Sequence, residues 1–207
     1  MKINQPESRD AESAYFVFNK PCGVLCQFTD SGGRRTLSAF GPFPRSVYSV
    51  GRLDADSEGL LLLTNDGSTK HLLLDPKFGH TRTYLAQVER IPNEEALERL
   101  RNGLVIEGAR TRPAAVEMLR EEPKLPEREV AIRFRKTVPT CWLRLTLSEG
   151  RNRQVRKMTA AVGHPTLRLV RTEFGPLTLA GLKPGESRKL SKTEVTSLLA
   201  FARRKPT

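Results

Sequence analysis

"GRLDADSEGLLLLTNDG", residues 51–67, places Asp54, Asp56, Glu58 and Gly59 directly ahead of four consecutive leucines. Two local structures fit such a string: a calcium loop between helices, or a tight turn running into a strand. A calcium loop of that kind needs a bidentate carboxylate at its twelfth position, and counting from Asp54 that position is Asn65. It also needs a helix on each side. The preceding "RSVYSV" (45–50) reads as strand, and the following "TNDG" (64–67) signals a turn rather than a helix. The run "LLLLT" (60–64) is short for a helix and reads as a strand buried on both faces. Asp54 and Asp56 could instead carry a metal–nucleotide complex, but the chain has no G-x-x-x-x-G-K-[ST] loop for the phosphates. Two roles are left for the acids. Some cap local backbone groups, Ser57 and Glu58 in particular, and one of them is a candidate catalyst.

Outward from this stretch, "AYFVF" (14–18), "GVLCQF" (23–28), "RTYLAQV" (82–88), "EVAIRFR" (129–135) and "CWLRLTL" (141–147) read as strands, several alternating apolar and polar residues. Helices are fewer. Asn93 is placed to cap "EEALERLRN", which closes at Gly103. Asn152 can cap "RQVRKMTAAV", closing at Gly163, with Val155, Met158 and Val162 on its apolar face. Ser191 followed by Glu194 is a capping box for "KTEVTSLLAFA". Residues 120–129 form a polar, proline-containing loop. The expected organisation is a disordered tail over 1–13, a catalytic domain over 14–200 and a basic tail over 201–207. Strands outnumber helices without alternating regularly with them, so the fold class is α+β around a largely antiparallel sheet.

The chain has 207 residues, with 35 Lys and Arg against 23 Asp and Glu, a formal charge of +12. That surplus favours a polyanionic partner, nucleic acid first, although a merely soluble basic protein has the same composition. Three cysteines, Cys22, Cys26 and Cys141, make no disulfide framework, and no second Cys or His pair completes a zinc site. Reduced cysteines suit a cytoplasmic location. No apolar run reaches the roughly 20 residues of a membrane span, and the N-terminus lacks a signal peptide's apolar core. A second basic stretch, "EGRNRQVRKM" (149–158), gathers Arg151, Arg153, Arg156 and Lys157 at a helix start. Alone it would be a solvated helix face. Beside the acidic loop, one of its cations can keep a buried aspartate ionised while others meet phosphates.

"NKPCGVLCQFTD", "VGRLDADSEGLLLLTNDG", "RTYLAQVE" and "EGRNRQVRKM", in this order over residues 19–158, resemble the successive motifs of the pseudouridine synthases. The similarity is to the branch that modifies ribosomal RNA: type A, which acts on small-subunit RNA, and types B, E and F, which act on large-subunit RNA. The stretch "HPTLRLVRTEFGPLTLAGLKPGE" (164–186) extends it. Most of that branch carries an N-terminal RNA-binding domain of the ribosomal-protein-S4 type. Only about 13 residues precede the first strand here, too few for such a domain, which narrows the likeness to type E.

The resemblance implies an isomerase that detaches uracil from the ribose C1′, turns it and reattaches it through C5, in a uridine of large-subunit (23S) ribosomal RNA. Nothing is gained or lost, so neither cofactor nor metal is implied, and the protein is expected to act as a monomer. The family pattern makes Asp54 the nucleophile. It makes Arg156 the cation paired with Asp54, and Val155 a residue packing near the base. Tyr84 matches the active-site tyrosine, able to stack on uracil or to act as a general base. A core aromatic in an alternating strand is the plainer role for that residue. Arg82 stands where the family usually has Lys. Arg52 is placed to support a flipped-out nucleotide, and Arg151, Arg153 and Lys157 to meet phosphates. Two other classes stay open on the residues themselves: an inert rRNA-binding assembly factor on the same fold, and a metal-dependent hydrolase built on Asp54 and Asp56, against which the lack of a histidine cluster counts.

Overall fold

A computed structural model describes residues 13–132, 135, 137–179 and 181–204. The regular elements in chain order are β1 (Tyr15–Lys20), β2 (Tyr48–Ser49), β3 (Glu58–Thr64), α1 (Gly67–Leu74), β4 (Arg82–Glu89), α2 (Glu94–Asn102), β5 (Val105–Ile106), β6 (Ala109–Arg110), β7 (Ala115–Met118), β8 (Thr140–Leu147), α3 (Gln154–Ala161), β9 (Thr166–Phe174), β10 (Leu177–Thr178), β11 (Ser187–Lys189) and α4 (Lys192–Ala202). The main sheet runs β11-β1-β3-β9-β4-β8-β7, with β2 added on β3 and β10 on β9. Its pairings are antiparallel except β3 with β9, which is parallel at Glu58–Val170 and Gly59–Arg171. The α+β class and the largely antiparallel sheet expected from the sequence are both present.

The leucine run fills both faces of the sheet, because alternate residues of a strand point to opposite sides. Leu60 and Leu62 pack with Tyr15, Val17, Leu73 and Leu198, on the side covered by α1 and α4. Leu61 and Leu63 pack on the opposite side with Phe18, Val24, Leu37 and Val47. All four are 0% exposed, and each such burial is worth about 1.5–3 kcal/mol. A third cluster, with Leu97, Leu100, Leu143, Leu145, Val155 and Met158, seats α2 and α3 on the sheet. β3 is thereby fixed in depth and register, and the loop that precedes it is held at a defined place on the sheet's end.

Several elements differ from the sequence reading. Residues 23–28 form no strand and make only an isolated bridge from Leu25 to Thr36. Residues 129–132 and Arg135 also lack strand structure, and the remainder of that stretch lies outside the described residues. Helix α1 is absent from the sequence reading: Asp66 of "TNDG" is its N-cap, accepting from Thr69 N at 2.9 Å. The calcium reading fails here too, since strand occupies residues 58–64. Helix α3 starts at Gln154 behind Arg153 rather than behind Asn152. Helix α4 runs through Ala202, so the basic tail starts later than residue 201, and the expected tail over 1–13 lies, except for Ser13, outside the described residues.

Asn93 caps α2 and Gly103 follows that helix with φ 78°, as the sequence indicates. Ser191 and Glu194 form the capping box of α4. Glu194 also receives both guanidinium nitrogens of Arg188, at 2.8 and 2.7 Å. Arg188 holds the Glu194 carboxyl down to about 2, against a partial burial that pushes it up. A depressed carboxyl contributes stability that is present above the ordinary glutamate value and is lost as pH falls towards 2. Glu194→Gln should therefore lower the denaturation midpoint at pH 7, and the gap to wild type should close as pH falls from about 4.5 towards 2. Urea titrations across that range check it; a gap that stays constant with pH contradicts it.

Candidate active site

The turn carrying Asp54 is built by neighbours distant in sequence. Ser57 N donates to Asp54 O at 3.1 Å, closing the turn. Leu53 is clamped by Cys26: its N–H donates to Cys26 Sγ at 3.2 Å, and the thiol donates to Leu53 O at 3.3 Å. Ala55 O accepts from Gly23 N at 2.7 Å and from Lys20 Nζ at 3.3 Å. Lys20 is 0% exposed. Its ammonium also donates to Pro21 O and Val24 O at 2.9 and 2.7 Å, so all three of its donors are used. Burial lowers its pKa, and nearby Cys26, Cys22, Glu58 and Asp56 partly oppose that. Lys20, at the end of β1, and the segment 21–26 thus brace the aspartate turn. Sequence reasoning misses Lys20, since a lysine beside a turn normally reaches solvent; the "NKP" at the end of an apolar strand is the available signal.

Glu58 does not cap the turn. It lies buried at the start of β3 and takes two bonds from Arg168, at 3.1 and 2.9 Å, with Arg128 at 3.3 Å. Ser57 Oγ is buried without a partner among the described residues, and Ser57 lines the cleft described next.

A cleft of about 610 Å³ opens over this turn. Asp54, Tyr84, Arg52, Arg151, Arg153 and Val155 all contribute to its wall. Tyr84 comes from β4 and Val155 from the first turn of α3; Val155 is 3% exposed and joins the core beneath. Lys157 points elsewhere, to Glu107 Oε1 at 2.7 Å and Asn152 Oδ1 at 3.2 Å. Arg151 spans to the β5–β6 hairpin through Ala109 O and Ile106 O, at 3.0 and 2.9 Å.

The partner of Asp54 is not the one expected. Arg153 Nη1 lies 3.4 Å from Asp54 Oδ2. Arg156 instead bonds Asp56 O at 3.0 Å and Thr166 O at 3.1 Å, with Asp56 Oδ2 at 3.4 Å. The reason lies in the helix start. Arg153 adopts a left-handed conformation, φ 50°, just ahead of α3, which throws its side chain back over the turn. There it also pairs twice with Asp56, both bonds at 3.1 Å. Gln154, the first residue of α3, reaches back to the chain ahead of the helix: it accepts from Arg151 N at 3.0 Å and donates to Glu149 at 2.6 Å. Asp56 is thus the hub between the two arginines. Burial raises its pKa, but the Arg153 bonds and the charges of Arg156 and Arg153 leave it below the usual carboxylate range. Burial lowers that of Arg156, only partly offset by Asp56.

The RNA pseudouridylate synthase family model matches residues 14–161, a span that includes this turn, Tyr84 and the start of α3. The chain belongs to that family. Relatives of the same kind match most of its length. Ribosomal large subunit pseudouridine synthase E of Vibrio vulnificus (strain CMCP6) is 51% identical over 181 residues, 87% of this chain and 76% of the relative. The synthase of the same name from Xanthomonas axonopodis pv. citri (strain 306) is 53% identical over 170 residues, 81% of this chain and 89% of the relative. A crystal structure of a pseudouridylate synthase superposes with a TM-score of 0.76 at 31% identity, covering 92% of this chain and 76% of that one. The fold and the isomerase class expected from the motifs are those of the pseudouridylate synthases.

Proposed function

We propose that the protein converts a uridine of large-subunit ribosomal RNA to pseudouridine in this cleft, with Asp54 as the nucleophile and without metal or cofactor. The observation that carries the reading is the meeting of Asp54, Tyr84 and Arg153 on the wall of one cleft in a chain of net charge +12. The large-subunit substrate follows the names of the two relatives.

Asp54 is about 29% exposed at its side chain, open enough to meet a ribose yet steered by one guanidinium. The target nucleotide must leave its stack before C1′ is reachable, and exposed Arg52 at the mouth takes the displaced backbone. Tyr84 stacks on the uracil. A carboxylate oxygen of Asp54 bonds C1′ as the bond to N1 breaks; the base turns, C5 displaces the carboxylate from C1′, and the C5 proton is released as N1 gains one. Tyr84 O–H is the group available to move a C2′ proton if the sugar passes through a glycal.

Arg153 and Arg156 divide the work differently from the sequence expectation. Arg153 orients Asp54, and Arg156 ties α3 to the turn through backbone carbonyls. Purified protein incubated with protein-free large-subunit rRNA should form pseudouridine. Arg153→Met should slow single turnover at saturating RNA at least about tenfold with a near-normal melting temperature. Arg156→Met should lose about 1.5–3 kcal/mol of stability, since the Asp56 and Thr166 carbonyls lose their donor and the Asp56 carboxylate loses one of its two cations. If Arg156→Met slows turnover in a fully stable protein while Arg153→Met changes affinity alone, the two roles belong the other way round.

A further inference from the structure

Beside the cleft lies a smaller cavity of about 150 Å³ that shares Arg52, Tyr84, Glu149, Gly150 and Arg151 with it. Its inner wall includes Arg82 and Arg171. The two strands that carry them are neighbours: Tyr84 of β4 stands opposite Arg171 of β9, and Arg82 opposite Phe174. Both guanidinium groups lie over the Phe174 ring, their carbons 4.9 and 5.6 Å from its centroid.

Among the described residues these two cations lack an anion. Arg171 is 3% exposed; its Nε donates to Leu60 O at 2.8 Å, and its Nη2 is buried with no partner. Arg82 donates to His80 O and Leu73 O, at 3.0 and 3.2 Å. Among the described residues neither forms an ion pair. Burial lowers the Arg82 pKa and the neighbouring Arg171 charge lowers it further, with Tyr84 opposing. Two carboxylates line the cavity, and both are engaged. Asp75 takes Lys77 Nζ at 2.9 Å and Lys77 N at 3.0 Å. Glu149 takes Arg112 N at 2.9 Å and Gln154 Nε2 at 2.6 Å. His80, stacked on Phe78 and tilted against Phe201, has its pKa lowered by burial and by Arg82.

A buried charge normally costs several kcal/mol unless it is paired. Two adjacent guanidiniums, Arg171 buried and Arg82 half-buried, with a free donor and only backbone carbonyls and an aromatic face in compensation, are therefore prepared for an anion that arrives with the ligand. Guanidinium forks match phosphate oxygens. Gly150 keeps the approach open: a side chain there would begin 3.7 Å from Arg82 Cζ. The cavity adjoins Tyr84, and its volume of about 150 Å³ is ample for a phosphate group.

We infer that this cavity receives a phosphodiester group of the RNA immediately flanking the target uridine, bound by Arg82 and Arg171, so that the ribose is anchored from its backbone while Asp54 acts at C1′. This rests on the cleft being the uridine site. The test uses a large-subunit rRNA hairpin carrying the uridine that wild-type protein converts, made in three forms: native, and with one neutral methylphosphonate either 5′ or 3′ of that uridine. Single-turnover rates are measured for wild type, Arg82→Met and Gly150→Val; the last sets apolar atoms against the Arg82 guanidinium and fills the approach to it while both arginines are kept. One of the two methylphosphonates should slow wild type by about tenfold to a hundredfold. The same linkage should slow each variant less than about threefold further, because the contact is already gone. Either variant alone suffices if the other does not fold. If neither linkage matters to wild type, or if the linkage slows variants and wild type alike, the cavity holds only water and the inference is wrong. Failure of the functional reading looks different: wild type would then leave the native hairpin unchanged.

Discussion

Asp54→Asn should stop isomerisation, by roughly 10⁴-fold or more in single turnover, while the protein folds and binds RNA as before. The amide keeps the size of the carboxylate and removes its charge and nucleophilic oxygen. Little of the fold depends on the side chain. Asp54 holds the turn through its backbone, Ser57 N to Asp54 O at 3.1 Å, and its carboxylate has one partly exposed ionic contact, Arg153 at 3.4 Å. Loss of such a contact is worth up to about 1 kcal/mol. Rate and stability should therefore separate cleanly. Turnover within tenfold of wild type would remove Asp54 from the mechanism, and unfolding of the variant would show that its role is structural.

The second large effect is on the fold. Gly59 has φ 103°, and a Cβ there would stand 2.2 Å from Arg171 O and 2.8 Å from Arg171 N. Those are backbone atoms of β9, held in the parallel pairing with β3 and unable to move aside. Gly59→Ala therefore forces the two strands apart at the point that also carries Arg171 and the base of the aspartate turn. The expected result is a loss of more than about 4 kcal/mol, in practice failure to fold. Equilibrium unfolding, or soluble yield where unfolding cannot be followed, checks this; a loss under about 1 kcal/mol contradicts the close approach.

How much of this is legible in the sequence varies with the kind of signal. The leucine run reads correctly because four apolar residues with no polar alternate can be a strand only if both faces are covered. Asn93 and the Ser191–Glu194 pair read correctly because capping is a local matter, settled within one turn. "GVLCQF" misleads, as do the described residues of "EVAIRFR", because alternation reports a face to bury but not a neighbour to pair with; residues 23–28 have only the Leu25–Thr36 bridge. Helix α1 is hidden because Asp66 serves a turn and a cap equally well. In the site, the resemblance locates the turn, Tyr84 and the basic helix start. It does not assign partners within that start: whether Arg153 or Arg156 reaches Asp54 depends on one residue's left-handed backbone, φ 50° at Arg153. Lys20, Arg82 and Arg171 carry charge at positions that strand periodicity buries, and such charges declare a role only once their surroundings are known.

The most direct measurement is a map of pseudouridines in ribosomal RNA from cells lacking this gene, and from the same cells given back either the wild-type gene or the Asp54→Asn form. Pseudouridine should disappear from large-subunit RNA at a discrete site, return with the wild-type gene and stay absent with Asp54→Asn expressed at equal level. An unchanged map in the deletion strain, or full restoration by Asp54→Asn, would contradict this.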